Sequence, residues 1–155
     1  MVEIDEPSKK FLHDEDALII STVGVNGKPY IAGFYFMYHE EEGVIYILTR
    51  PNILTIRNIQ RKPDVALLVH HVYKDDWKNQ YVMIRGEAEN VEDEEIIEKV
   101  KAMRIKKYYW LEEEQFLARR KTWAVIRVRP SYFRSFIRAR DTNFPELRPP
   151  EHSHW

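Results

Sequence analysis

The sequence predicts an α+β domain in which an antiparallel β-sheet of about six strands forms a small closed or split barrel with peripheral helices. Short runs of apolar and β-branched residues recur along the chain, as is typical of strands. Polar turns separate most of these runs, and strands joined by tight turns pair antiparallel. A sheet of this size tends to curl or close, so that one of its faces fills an interior.

The first hairpin carries the strongest of these signals. Residues 17–23 are apolar and β-branched, and the Asn26-Gly27 pair that follows them favours a tight hairpin turn. Residues 29–39 then form a long strand whose alternating side chains are apolar on both faces. Both faces must therefore be covered, one by the barrel interior and the other by a helix, a second subunit or a ligand.

The later elements alternate between strands and short helices. A strand over residues 44–49 leads into a short helix from Asn52 to about Arg61, and the residues Lys62-Pro63-Asp64 end that helix. Periodicity predicts further strands over 65–71, 80–91, 122–129 and a last one over 131–137, and helices over 92–104 and 108–117.

Length and composition limit the function classes. We assign residues 1–140 of the 155-residue chain to one domain and residues 141–155 to a C-terminal tail. The 24 lysines and arginines balance 25 acidic residues, which argues against a protein held to nucleic acid by charge alone. The absence of cysteine excludes disulfide scaffolds and thiolate chemistry. Neither a secretory signal nor an apolar run of about 20 residues occurs, so we expect a cytoplasmic protein.

Familiar catalytic motifs are absent from the sequence. It contains no glycine-rich dinucleotide loop, no Walker-type loop, no His-Glu-x-x-His and no Gly-x-Ser-x-Gly. The histidines form no evident ligand set, and the adjacent His70 and His71 point to opposite faces of their strand, so no metal site is expected. Arginines interleaved with aromatic residues over 127–140 can stack bases and neutralise phosphates, but exposed arginines on an ordinary strand give the same pattern.

The strand-to-helix junction at residues 49–58 is the best candidate site. A helix start offers free backbone N–H groups and a partial positive charge, which suit a phosphate. Arg50 can supply a bidentate guanidinium, Asn52 is a suitable capping residue, and Thr55 can add a hydroxyl. The alternative is that Asn52 only caps the helix and that Arg50 only meets solvent.

The same junction carries a family resemblance. Residues 55–67, TIRNIQRKPDVAL, resemble the helix-to-strand signature of the pyridoxamine 5′-phosphate oxidase-like family, the flavin-binding split-barrel superfamily. Residues 19–22, the sequence Asn26-Gly27-Lys28-Pro29 and the strand ending in Thr49-Arg50 resemble the first three strands of that family. Residues 81–91 look like its next strand, and residues 125–130 give a weaker match.

This resemblance implies a homodimer of split barrels with cofactor sites at the subunit interface. The implied cofactor is FMN, with the deazaflavin coenzyme as an alternative, and the implied activity is oxidation or reduction of a small molecule. A second hypothesis is a non-catalytic binder of flavin or haem. Positions that contact the ring and ribityl chain in the family correspond to Gly33, Phe34, Tyr35, Leu48 and Thr49. Its phosphate contacts correspond to Arg50, Asn52 and Thr55, and Trp77, Gln80 and Tyr81 are candidates to reach across from the other subunit.

One position departs from the family pattern. Many relatives carry a lysine where this chain has Thr55, and that lysine helps to hold the phosphate. A hydroxyl cannot supply the charge. Either Arg50 compensates, or the cofactor is held weakly, or the site holds something else.

Overall fold

A computed structural model describes residues 2–72, 79–111 and 113–137 of the chain. Within these residues, seven strands form one antiparallel sheet, and four α-helices pack around it. The elements are α1 (Glu6–Asp14), β1 (Ala17–Val23), β2 (Pro29–Tyr35), β3 (Met37–His39), β4 (Val44–Thr49), α2 (Leu54–Arg61), β5 (Asp64–Val72), β6 (Asn79–Val91), α3 (Glu94–Lys107), α4 (Glu113–Ala118) and β7 (Ala124–Phe136).

The predicted α+β fold and its antiparallel sheet are confirmed. The strand order is β2-β1-β5-β6-β7-β4-β3, so the two edge strands, β2 and β3, are neighbours along the chain. Only Phe36 separates them, and the two edges of the curled sheet therefore meet at this residue. The sheet has seven strands rather than about six, because the long strand expected over residues 29–39 is divided here.

Side chains at the C-terminal end of α3, from Lys107 and the following Tyr108, satisfy the backbone of Phe36 where the strand is interrupted. The Phe36 N–H donates to the Tyr108 hydroxyl at 3.1 Å, and the Phe36 carbonyl accepts from Lys107 Nζ at 2.9 Å. The Tyr108 hydroxyl also lies 2.9 Å from the Phe36 carbonyl and 2.6 Å from that of Asp16. Before the break the chain pairs with β1, and after it with β4, so Phe36 marks the change of partner.

Two apolar clusters pack on opposite faces of the sheet. The inner cluster fills the concave side and includes Leu18, Ile20, Phe36 and Ile84. The outer cluster lies under α3 and is built from Tyr46, Leu48, Val100, Tyr108 and Val125, among others. Because β4 alternates between these clusters, all six of its residues are buried. The strand is therefore a rigid support for the residues at its end.

The ends of the elements follow local signals. Asn26 and Gly27 both adopt left-handed backbone conformations between β1 and β2, as the hairpin signal predicts. The carboxylate of Asp5 accepts from Ser8 N–H and caps α1, a helix that the sequence analysis did not predict. Asp93 caps α3, which continues to Lys107. No helix of the described residues is long and apolar enough to cross a membrane.

Candidate functional site

A cavity of about 830 Å³ lies where the C-terminal ends of β4 and β2 and the C-terminal part of α3 meet. This size falls in the range of small-molecule and cofactor sites. Its lining residues come from β1, β2, β4, β5, α3, α4 and the segment before β7: Ala17, Leu18, Ile19, Gly33, Phe34, Tyr35, Leu48, Thr49, Arg50, Leu68, His70, Arg104, Phe116, Arg120 and Trp123.

One wall of the cavity is the outer face of three neighbouring strands. Ile19 pairs with Gly33 of β2 on one side and with Leu68 of β5 on the other, so these residues form one row across the sheet. Gly33 leaves a gap in this row, because a Cβ added to it would meet only the Leu18 carbonyl oxygen, at 3.7 Å. A flat ligand can therefore approach the backbone of β2 closely.

The opposite wall centres on Arg104 of α3. The side chain is only 7% exposed, and its Nη1 donates to the carbonyl oxygen of Leu48 at 3.1 Å. The guanidinium carbon lies 5.4 Å from the centre of the Tyr35 ring and 5.6 Å from that of Phe116. Two rings and one carbonyl thus hold this cation in a single orientation.

A second arginine of this wall is more exposed. The guanidinium of Arg120 lies 5.6 Å from the centre of the Trp123 ring. That indole donates from Nε1 to the Leu117 carbonyl at 3.1 Å and packs against Phe116, with ring centres 5.7 Å apart. The end of α4 therefore supplies an aromatic surface edged by a cation.

The charged residues of the described lining are all arginines. Arg50, Arg104 and Arg120 line the cavity together with His70, and its described lining contains no carboxylate. An apolar cleft lined by one sign of charge focuses a positive potential on its contents. The arrangement can hold a planar group that carries an anionic substituent.

Six of the predicted site residues line this cavity. They share two short segments, one in β2 and one at the end of β4, and are Gly33, Phe34, Tyr35, Leu48, Thr49 and Arg50. The two segments belong to strands that are not hydrogen-bonded neighbours, and the curling of the sheet brings them together. Arg50 is exposed at the cavity, whereas Leu48 and Thr49 are largely buried beneath it.

The prediction that Asn52 caps the helix is wrong. The helix begins at Leu54, and its N-cap residue is Ile53, which makes no side-chain capping bond. Asn52 instead has φ of 63°, a left-handed conformation that asparagine tolerates better than most residues. An asparagine is favoured both at helix N-caps and in left-handed turns. In this protein Asn52 lies in the left-handed turn after Pro51.

The other predicted residues lie outside the described cavity lining. Thr55 is 2% exposed, and Gln80 is also buried. Tyr81 pairs with the cavity residue His70 across β5 and β6, and its ring packs against Phe136 at 6.1 Å. Trp77 falls outside the described residues. A role of these four residues in cofactor binding stays a prediction.

Sequence reasoning missed the α3 and α4 wall of the cavity. The sequence predicts the helix over 92–104 but gives none of its residues a place in the site. Ile97, Val100 and Arg104 are the buried residues of α3, and their spacings of three and four place Arg104 on the apolar stripe. The position of Arg104 in this stripe could have indicated a role in the site, because a buried cation needs partners in the interior.

No cluster of three or more potential metal ligands occurs among the described residues. No curated protein matches the sequence significantly. Solved structures match the fold. A conserved hypothetical protein from Mycobacterium tuberculosis shares 20% identity at a TM-score of 0.73, with 87% of this chain and 86% of that one covered.

Two further matches differ in the ligands that they are named for. The heme storage protein HutZ from Vibrio cholerae has 18% identity and a TM-score of 0.70, with 88% of this chain and 95% of that one covered. An FAD-binding protein from Mesorhizobium loti has 16% identity and a TM-score of 0.62, with 83% and 87% covered. At these identities the matches establish the fold alone.

The family assignment comes from the sequence itself. The profile described as pyridoxamine 5′-phosphate oxidase matches residues 4–136, which include every helix and every strand described above. The resemblance seen in residues 55–67 is thereby extended from α1 to the end of β7. The chain belongs to the pyridoxamine 5′-phosphate oxidase family.

Proposed function

We propose that the protein binds FMN in this cavity and acts as a flavin-dependent oxidoreductase on a small molecule. The observation that carries the proposal is the combination of an apolar wall that admits a flat ring with cations that suit a phosphate. Membership of the family supports it independently, since the two predicted ring-contacting segments both line the cavity.

The lining residues fit the chemistry of the cofactor. The isoalloxazine ring would lie against Gly33 and the apolar side chains around it, and Leu48 would contact its edge. Arg50, exposed directly after the end of β4, would pair with the phosphate. Thr55 is buried, so the exposed guanidinium of Arg50 would be the more accessible phosphate contact, and a contact from the Thr55 hydroxyl stays a prediction.

When bound, FMN would supply the hydride and electron chemistry, and the protein's own residues would bind it, orient it and exclude water. A protein whose cofactor supplies the chemistry needs no catalytic motif of its own, in agreement with the lack of one in the sequence. Residues of the lining would then act by position. Tyr35, which packs against Tyr108 with ring centres 4.9 Å apart, would limit access of solvent to one side of the ring.

We also propose that the protein forms a homodimer, in which a second copy of the chain covers the face beside the cavity. The outer face of β2, β1 and β5 bears exposed apolar side chains beside the cavity, among them Ile19 at 46%, Ile31 at 65% and Val72 at 56%. Exposed apolar surface of this kind is typical of an interface. A homodimer would cover it and would bring Trp77, Gln80 or Tyr81 of the partner to the cofactor.

Haem binding is the second candidate function, and His70 favours it. This imidazole lines the same cavity as the three arginines, and histidine is a common axial ligand of haem iron. The arginines would then pair with the haem propionates. A deazaflavin coenzyme would use the same cations and the same apolar wall as FMN.

Absorption spectra and calorimetric titrations of the purified protein separate these possibilities. We expect saturable binding of FMN, and reduction of the bound flavin by NAD(P)H or by a reduced deazaflavin. Saturable binding of haem with no binding of FMN would favour the second candidate. Bound FMN that no donor reduces and no acceptor reoxidises would indicate a non-catalytic binder. A protein that binds none of these ligands would overturn the proposal.

A further inference from the structure

Arg104 is unusual among the cations of the cavity because it is buried. It is 7% exposed, whereas Arg50 and Arg120 are both exposed. Electrostatic interactions of a buried charge are screened much less by water and salt than those of an exposed one. At a given distance, a buried charge such as that of Arg104 therefore acts more strongly on the contents of the cavity than an exposed charge does.

The cation is also fixed before any ligand arrives. The bond to the Leu48 carbonyl at 3.1 Å and the rings of Tyr35 and Phe116 hold the guanidinium on three sides. A preorganised charge stabilises a negative ligand without a cost of reorientation when the ligand's charge changes.

Reduction changes the charge of a flavin ring. Uptake of two electrons and one proton at neutral pH converts the neutral oxidised ring into an anionic reduced one. The phosphate keeps the same charge in both forms. A cation beside the ring thus discriminates between the two forms, and a cation beside the phosphate does not.

We infer that Arg104 makes the cavity bind reduced flavin more tightly than oxidised flavin, which raises the reduction potential of the bound cofactor. The inference rests on the proposed function. It assigns Arg104 a positioning and electrostatic role distinct from that of Arg50 at the phosphate. A purely structural role in holding the Leu48 carbonyl would weaken the binding of both flavin forms alike.

The test compares dissociation constants for oxidised FMN and for FMN reduced by dithionite under anaerobic conditions. We expect the wild-type protein to bind the reduced form about tenfold more tightly, or better. Arg104→Gln keeps a donor for the Leu48 carbonyl and removes the charge, and should abolish most of this preference. Arg104→Lys should retain much of it. Arg50→Ala is the matched control, since it should weaken both forms while leaving their ratio unchanged.

Each outcome decides the matter. A ratio in Arg104→Gln equal to that of the wild type overturns the inference while FMN binding, and hence the proposed function, stands. Wild-type protein that binds both forms equally overturns it without any variant, so a variant that fails to fold does not prevent a decision. Wild-type protein that binds neither form overturns the proposed function and this inference together.

Discussion

The hydroxyl of Tyr108 lies 3.1 Å from the backbone nitrogen of Phe36, the one residue between the two edge strands of the sheet. It lies also 2.9 Å from the carbonyl of the same residue. Burial raises the pKa of this hydroxyl well above its ordinary value, so it remains protonated and able to donate. The side chain of the residue that ends α3 thus replaces strand pairing where the sheet changes partner.

Tyr108→Phe should therefore destabilise the fold. The change leaves the Phe36 N–H without this acceptor and removes the single O–H that the carbonyls of Asp16 and Phe36 share, in a buried position. We expect the free energy of unfolding in denaturant to fall by about 1–3 kcal/mol. Tyr109→Phe is the control, because Tyr109 is 79% exposed and should tolerate the change. Equal stabilities of the two variants would contradict this role.

Lys107 should make stability depend on pH. Burial lowers the pKa of its amine to about 8, while in the unfolded chain a lysine has a pKa of about 10.4. Between these values the unfolded chain binds more protons than the folded one, so the free energy of unfolding rises with pH. Below about pH 8 both states are protonated, and the contribution no longer varies.

Comparison with Lys107→Met isolates this effect from other titrations. From about pH 7 to about pH 9.5, the wild type should gain about 1–2 kcal/mol in free energy of unfolding relative to the variant. Denaturant unfolding at a series of pH values measures the difference. A constant difference over this range would show that the amine titrates normally in the folded protein.

The two edge strands also mark the limit of what sequence could predict. Strands β1 and β4 and the Asn26-Gly27 turn follow local patterns, and their predicted bounds match the structure. The interruption at Phe36 does not, since it depends on Tyr108, which is 72 positions away in the chain. The alternation in residues 29–39 predicts a strand, but it does not show that a distant side chain, that of Tyr108, interrupts the strand.

Some residues of the candidate site could likewise be predicted from local sequence, and others could not. The segments around Gly33–Tyr35 and Leu48–Arg50 were predicted because strand patterns and a family resemblance both identify them. Asn52 was misplaced because one side chain suits both a cap and a left-handed turn. Arg104 was missed because its partners, Leu48 and Tyr35, lie on distant strands, and only the folded chain joins them.

Gly86→Ala should be strongly destabilising. Gly86 lies at the irregularity in the pairing of β6 and β7, and a Cβ added there would clash with the Arg129 carbonyl oxygen and lie 2.9 Å from its carbon. We expect a loss of about 2–4 kcal/mol, because both neighbouring atoms are backbone. The control is Gly33→Ala, whose added Cβ meets an ordinary contact. Thermal unfolding compares them, and similar melting temperatures would disprove the clash.

Arg50→Ala should weaken the binding of FMN. Arg50 is exposed at the cavity, and loss of the charge-assisted hydrogen bond that we propose between it and the phosphate should cost about 1.5–3 kcal/mol of binding free energy. Calorimetric titration gives the dissociation constants. Arg57→Ala is a matched control, since Arg57 is an exposed arginine of α2 outside the cavity lining. Unchanged affinity in Arg50→Ala would remove this residue from the site.

Ile31→Glu should dissociate the proposed homodimer. Ile31 is 65% exposed on the outer face of β2, and a charge placed there would lose its hydration when a second copy covers the face. We expect sedimentation equilibrium to give a dimer dissociation constant at least about tenfold higher than that of the wild type. Val25→Glu is the control, because Val25 is 66% exposed at the tip of the hairpin and away from this face. The folded state should survive both changes, since neither side chain belongs to the core. A wild-type chain that sediments as a monomer, or equal dissociation constants for the two variants, would rule out this face as the interface.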